Sequence, residues 1–212
     1  MEALSRVGRR LALADAREYA LLICGGSALS LAGLVDRPTR DVDVLGTVKS
    51  SEAESLATED LPEEVLQAAQ SVAMDLNLQV DWLNDSASVL HRLRLPEGIL
   101  KRAHRHEFGP CLTVYVIGRQ DQVALKLYAA LDRERGQRHL RDLDAIGPTP
   151  VEMDFAGHWL LDRKTSLDFR RAIRKIVETL GFHNLPVFNA EKPKPLRPQS
   201  KTKSKNIKRR EK

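Results

Sequence analysis

Six apolar residues, Tyr19 to Cys24 (YALLIC), run into Gly25 and Gly26, then SALSLAGL, then the link RPTR and the stretch DVDVLG at 41–46. An apolar run too short for a helix and closed by a glycine pair reads as a strand. Ser27, whose hydroxyl accepts from a free backbone N–H, is the expected N-cap of a two-turn helix stopping near Gly33. Asp41, Val42, Asp43 and Val44 alternate with the period of a second strand. Strand, glycine turn, helix, strand is a narrow specification, and it commits this part of the chain to a sheet with a helix at its edge.

The rest of the sequence fits around that unit. Residues 2 to about 18 carry Leu4, Val7, Leu11, Leu13 and Ala14 near one helical face. LPEEVLQAAQSVAMDLN opens with Pro62, Glu63 and Glu64 and repeats apolar residues at 65, 66, 69, 72 and 73, which predicts a helix. LQVDWLN and the β-branched run CLTVYVIG are expected as strands, the latter ending at Gly118. Beyond it, RQDQVALKLYAALDRER, RHLRDLDAIG, PTPVEMDFAGHWLLDR and SLDFRRAIRKIVETLG predict four helices separated by Gly or Pro breaks. The expected fold class is α+β: a mixed sheet with helices on one face over residues 1–118, a helical bundle over 119–190, and a tail at 191–212.

Charge is segregated along the chain. Residues 191–212 hold ten Lys or Arg, two Glu and three Pro, a net +8 that leaves −3 for the preceding body out of a total of +5. Such a tail buries too little apolar surface to offset its ordering entropy and is expected to be disordered. It reads either as a salt-sensitive contact to the phosphate backbone of RNA or as a solvated end. The chain is long enough, at 212 residues and 42% hydrophobic, to bury roughly 70% of its unfolded surface. It has no apolar run of about 18 residues, and its first twenty residues mix Glu2, Arg6, Arg9, Arg10, Asp15 and Glu18 into the apolar pattern. Neither a membrane span nor a signal peptide is expected. Cys24 and Cys111, isolated in apolar surroundings, suit a reducing compartment, so the expected location is cytoplasmic with no membrane partner. G-x-S-x-G, P-loop and Cys-x-x-Cys patterns are missing, which excludes the corresponding hydrolase, NTPase and zinc classes. His104 and His106 stand among arginines as a basic surface patch, and His158 and Trp159 read as helix packing.

Chemistry is concentrated in the first unit. Two residues apart in a strand, Asp41 and Asp43 place their carboxylates on one face while Val42 and Val44 pack into the other. The repulsion between them is relieved by water or by a divalent cation, since clustered hard oxygens are what Mg²⁺ requires. Asp81, in LQVDWLN, is a third carboxylate from an apolar run expected beside them. Three such acids would hold two Mg²⁺ ions, one for an attacking hydroxyl and one for the triphosphate of a nucleotide. Gly25, Gly26 and Ser27, where a strand turns into a helix, direct backbone N–H groups at one spot and form a natural phosphate cradle.

The string Gly26-Ser27, thirteen residues, then Asp41-Val42-Asp43-Val44, with Asp81 as a later strand carboxylate, resembles the signature of the DNA polymerase β-like nucleotidyltransferase superfamily. GGSALSLAGLVDRPTRDVDVL is similar to a bacterial subgroup that includes abortive-infection and other toxin-antitoxin nucleotidyltransferases. QVALKLYAALDRERGQRHLRDLDAI resembles that subgroup's second motif, with Lys126, Arg133, and Asp142 or Asp144 in its polar positions. On a helical wheel the two aspartates flank the Leu140, Leu143, Ile146 face almost symmetrically, and the resemblance favours Asp142. The likeness covers roughly residues 19–146. It implies an enzyme that binds an NTP against Gly25, Gly26, Ser27 and Lys126, with Arg37 and Arg40 neutralising nucleotide charge and Asp41, Asp43 and Asp81 holding two Mg²⁺. Asp81 is then expected to take the acceptor's proton. The implied acceptor is RNA, such as tRNA, or a protein hydroxyl, and the implied partner is a cognate toxin or antitoxin. A small-molecule acceptor, or a catalytically silent module that binds RNA or a protein, are the rival expectations.

Overall fold

The expected strand, turn, helix and strand form, with their boundaries shifted by the glycines. The computed structural model describes residues 1–50, 55–57, 60–163 and 166–189. The basic tail at 191–212 lies outside the described residues. Strand β1 is Tyr19–Cys24, and helix α2 begins directly at Gly25 and ends at Leu31, so Cys24 rather than Ser27 occupies the N-cap. Gly33, with φ +67°, then turns the chain out of the helix. Strand β2, Val42–Ser50, is longer than DVDVLG, and Asp41 stands immediately ahead of it.

Helix α1 (Glu2–Leu13) precedes β1, and α3 (Glu63–Leu76) follows a short strand β3 (Ser55–Ala57) that the acidic sequence around it conceals. Helix α1 is shorter than its apolar pattern suggests: Asp15 adopts a positive φ, and Leu13 points into solvent at 88% exposure. LQVDWLN yields only a two-residue strand, β4 (Leu83–Asn84), and Asp81 sits in the turn before it. A 3-10 helix (Ser86–Leu93), the edge strand β5 (His104–Glu107) and the inner strand β6 (Leu112–Val116) come next. His104 and Arg105 are exposed on β5, in keeping with a polar edge. The four expected helices follow as α4 (Arg119–Ala129), α5 (Gly136–Ile146), α6 (Pro150–Arg163) and α7 (Leu167–Thr179), with a last turn α8 (Pro186–Asn189).

The sheet order is β3-β2-β1-β6-β5, with β4 on the β2 edge at the opposite end from β3. Strand β1 lies antiparallel to β2 and parallel to β6. Alternation along β1 divides the core. Leu21 and Ile23 pack with Val7 and Leu11 of α1 and Val65 and Val72 of α3, whereas Leu22 and Cys24 pack with α4, α5 and α6 residues such as Leu127, Leu143 and Leu160. Helices therefore cover both faces of the sheet, not one, because β1 is apolar on both sides and each of its faces must be buried. The helical segment shares the second of these cores with the sheet. Trp159 is buried there and donates from Nε1 to the Arg94 carbonyl, while His158 lies exposed beside Asp154. Among the described residues no helix is long and apolar enough to cross a membrane.

One glycine decides how closely α1 approaches the sheet. A Cβ built on Gly8 falls 1.5 Å from the Phe108 carbonyl oxygen, a backbone atom that cannot swing aside. Gly8→Ala must push α1 off the β5–β6 end of the core. The expected cost is about 2 kcal/mol, measured as a lower urea midpoint; an unchanged midpoint would show that the helix tolerates a wider spacing.

Candidate active site

The link between α2 and β2 is pinned at alternate residues. Arg37 donates from Nε and Nη2 to the Asp142 carboxylate at 2.9–3.2 Å. Thr39 Oγ1 lies 2.8 Å from Ser27 Oγ, and the Ser27 hydroxyl also donates to the Asp41 carbonyl. Ser30 Oγ reaches the Arg37 carbonyl at 3.2 Å. An extended segment whose side chains alternate thus rests on the first two turns of α2, and its end delivers Asp41 to the start of β2. Ser27, expected as a helix cap, instead joins the helix to the strand.

Asp43 lies in β2 directly opposite Cys24 on one side and Asn84 on the other. Its carboxylate packs on Gly25, where a built Cβ would fall 2.1 Å from Oδ2 and where φ is +77°. Glycine is required there twice over, for the conformation and for the space. Gly26 is less tightly enclosed, with a built Cβ 3.1 Å from Thr39 and 3.3 Å from the Arg37 guanidinium. Neither Asp41 nor Asp43 has a hydrogen bond or ion pair through its carboxylate among the described residues. Partial burial, and then the neighbouring Asp41 charge, raise the Asp43 carboxyl above its ordinary range; Lys126 and Arg138 oppose that rise. Burial, and then the neighbouring Asp43 charge, push the Cys24 thiol up and favour its protonated form.

The second motif forms a buried ion cluster. Lys126 of α4 and Asp142 of α5 are 5% and 4% exposed, and Lys126 Nζ donates to Asp142 Oδ2 at 2.7 Å. With Arg37 on its other oxygen, Asp142 accepts from two cations drawn from different parts of the chain. Burial on its own raises the Asp142 carboxyl, but the hydrogen bonds from Lys126 and Arg37 outweigh it and hold the group below its ordinary value of 3.8. Asp144, the alternative, is exposed, as is Arg133. His139, one turn before Asp142, is lowered by burial and then by Lys126, so its ring is held neutral.

The structure therefore brings Asp41, Asp43, Gly25, Gly26 and Ser27 together at the β1–α2 junction, with the Lys126–Asp142–Arg37 cluster attached to the same link. Asp81 stands apart: it is exposed in the turn before β4, and its side chain has no partner among the described residues. The ladder register places Asn84, not an acid, across from Asp43. Among the described residues no group of three or more His, Cys, Asp or Glu side chains is arranged to hold a metal ion. Arg40 is exposed and shares with Asp41, Ser27, Thr39 and Trp82 the wall of a cavity of about 220 Å³. Arg37 as the clamp on Asp142 was not evident from sequence, because its partner lies 105 residues away. The regular spacing of Arg37, Thr39 and Asp41 is the signal that could have found it.

A family described as "Nucleotidyltransferase of unknown function (DUF6036)" matches residues 2–146. Comparison with the curated proteins finds no match.

The ion cluster makes a definite stability prediction. Lys126→Ala leaves the buried Asp142 carboxylate with Arg37 alone and is expected to cost about 3 kcal/mol in urea denaturation. Because the native Asp142 carboxyl is held low, its stabilisation is present above the ordinary value of 3.8 and is lost as pH falls below it. Lys126→Ala should flatten that acid loss. An unaltered acid limb would place the cluster outside the folding balance.

Proposed function

The chain belongs to this nucleotidyltransferase family, and we propose that it moves the nucleoside monophosphate of an NTP onto a hydroxyl at the β1–α2 junction, using Asp41 and Asp43 with Mg²⁺. The family assigns the chain to the enzymes of nucleotidyl transfer. The observation that carries the rest is the unpaired, partly buried Asp43 carboxylate beside Asp41, with the backbone of Gly25 packed on it.

Two like charges in a partly dry strand cost free energy until a cation joins them. Two hard oxygen donors suit Mg²⁺, which characteristically takes one or two carboxylates and completes its shell with substrate phosphate oxygens and water. Asp41 and Asp43 are the residues that would hold it; Asp81, exposed in its turn, stays outside this set. When bound, the ion supplies charge neutralisation at the phosphates and lowers the pKa of an oxygen attached to it. In the transfer, the acceptor hydroxyl oxygen bonds to the α-phosphorus, the bond from that phosphorus to the bridging oxygen breaks, pyrophosphate leaves, and the hydroxyl proton passes to solvent.

The protein's own part is mainly positional and electrostatic. Gly25 and Gly26 give the space in which the Asp43 carboxylate, Thr39 and Arg37 pack against the start of α2. Ser27 and Thr39 fix the Asp41 segment, Arg37 and Asp142 hold that segment against α5, and Arg40 offers an exposed positive charge on the Asp41 side. We assign the acceptor to an RNA, such as tRNA, or to a protein hydroxyl, in a toxin-antitoxin or phage-defence setting. The support is the resemblance of GGSALSLAGLVDRPTRDVDVL to that bacterial subgroup and the +8 charge of residues 191–212.

The test is incubation of the full chain with each labelled NTP, Mg²⁺ and either total RNA or lysate. Label on RNA or protein supports the proposal, label on a small molecule moves the acceptor class, and no label under any condition points to a silent binding module. Asp43→Asn removes a buried charge and its repulsion from Asp41 without changing shape. It should raise the melting temperature while lowering transfer by more than about 100-fold. Transfer that survived this substitution would remove Asp43 from the metal site.

A further inference from the structure

Placing a nucleotide against Asp41 and Asp43 raises the question of which cations receive the rest of its triphosphate. Lys126 is poorly suited. Its ammonium is buried and already bonded to Asp142 at 2.7 Å. Arg37 has two of its three nitrogens on the same carboxylate. The one negative charge of Asp142 thus holds both side chains in place, and neither turns toward a ligand without leaving a buried carboxylate short of partners.

Helix α5 provides the alternative. Arg138, Arg141 and Asp142 are spaced i, i+3 and i+4, so they share one side of the helix. Asp142 points inward to Lys126, while Arg138 and Arg141 are exposed at the rim. Neither arginine has a hydrogen bond or ion pair through its guanidinium among the described residues. Both line a cavity of about 530 Å³ whose opposite wall is the Leu34–Arg37 segment, the segment that leads to Asp41. Asp36 is the one acid on this wall apart from the neutralised Asp142, so the cavity carries excess positive charge. Its Leu34–Arg37 wall belongs to the link that reaches Asp41 four residues later, which places the cavity and the acid pair on one segment of chain.

We propose that Arg138 and Arg141 bind the polyphosphate of the nucleotide in the cavity between α5 and the Leu34–Arg37 segment. The proposal rests on the nucleotidyltransferase reading and adds to it two ligand-binding residues that lie within the second motif's stretch but are not among the polar positions named for it above. Guanidinium groups on one helical face match phosphate oxygens bidentately, which a lysine in the same place does not. With the metal end of the substrate at Asp41 and Asp43, the β- and γ-phosphates extend toward α5.

The test is a calorimetric titration of the full chain, in Mg²⁺, with each NTP, the matching NMP and inorganic tripolyphosphate, for wild type, Arg138→Ala, Arg141→Ala and the double variant. Both residues are exposed, and equal melting temperatures verify that the variants fold. Each single change should weaken NTP and tripolyphosphate binding about 10-fold and the double change about 100-fold or more, with NMP binding little altered. Arg138→Lys should restore part of the loss. Wild-type NTP affinity retained in the double variant, or an equal loss for NMP and NTP, would overturn the assignment while leaving the enzyme's function standing. If wild type bound neither NTP nor tripolyphosphate and transferred no label, both readings would fall together.

Discussion

The Asp142 carboxylate is the fixed point on which the candidate active site is built. A buried anion is expensive unless it is paired and hydrogen-bonded, and this one is satisfied by Lys126 from α4 and Arg37 from the link before β2. Meeting that requirement fixes two geometries together. Helix α5 must cross α4 where Lys126 emerges, and the link must run past α5 with Arg37 turned inward. Four residues later the same link delivers Asp41. The helical half of the chain therefore helps to position the acids that the sheet presents, and the shared core around Leu143, Leu127 and Leu22 makes the attachment rigid.

The glycine turn acts on the opposite side of the site. Gly25 combines a positive φ with a carboxylate packed on its Cα, and Gly26 is closed in by Thr39 and Arg37. Small residues at these positions bring a backbone turn, a helix start and a strand acid within contact of each other. A bulge where β1 and β2 pair, between Leu22 and Ile23, leaves Leu45 as an extra residue and switches the alternation, so that Leu45 and Val48 enter the same core face opposite Val42 and Val44. His91 of the 3-10 helix donates to the Leu45 carbonyl at 2.6 Å, so the extra residue has its own support.

Much of this organisation was legible in the sequence, and the parts that were not have a common cause. YALLIC, CLTVYVIG and the four helices of the second half announce themselves because period and burial coincide along a single element. LQVDWLN has the composition of a strand, yet the chain turns there, with Trp82 N–H donating back to the Gln79 carbonyl, so backbone bonding to β2 begins only at the Trp82 carbonyl and Asp81 stays in the turn. Leu13 follows the helical pattern of α1 but lies one step past the last buried turn. Asp142 and Asp144 are equivalent on a wheel, and only the approach of Lys126 and Arg37 separates them. Arg37 itself is indistinguishable from an exposed loop arginine until α5 is packed beside it. Local periodicity reports what one element buries, whereas these residues are decided by contacts between elements remote in sequence.

Charge in the cleft is left unbalanced in two places and balanced in a third. Asp142 is matched by its two cations, which removes Lys126 and Arg37 from the pool available to a ligand. Asp41 and Asp43 keep their negative charge at the start of β2, and Arg138 and Arg141 keep theirs, of opposite sign, on the cavity between α5 and the Leu34–Arg37 segment. On the reading proposed above, a ligand that is cationic at one end and anionic at the other matches both sets of charge at once. A metal-bound polyphosphate has that polarity. On that reading a simple anion meets repulsion at the acid pair and a bare cation meets it at the arginines, so a ligand that satisfies only one end is disfavoured.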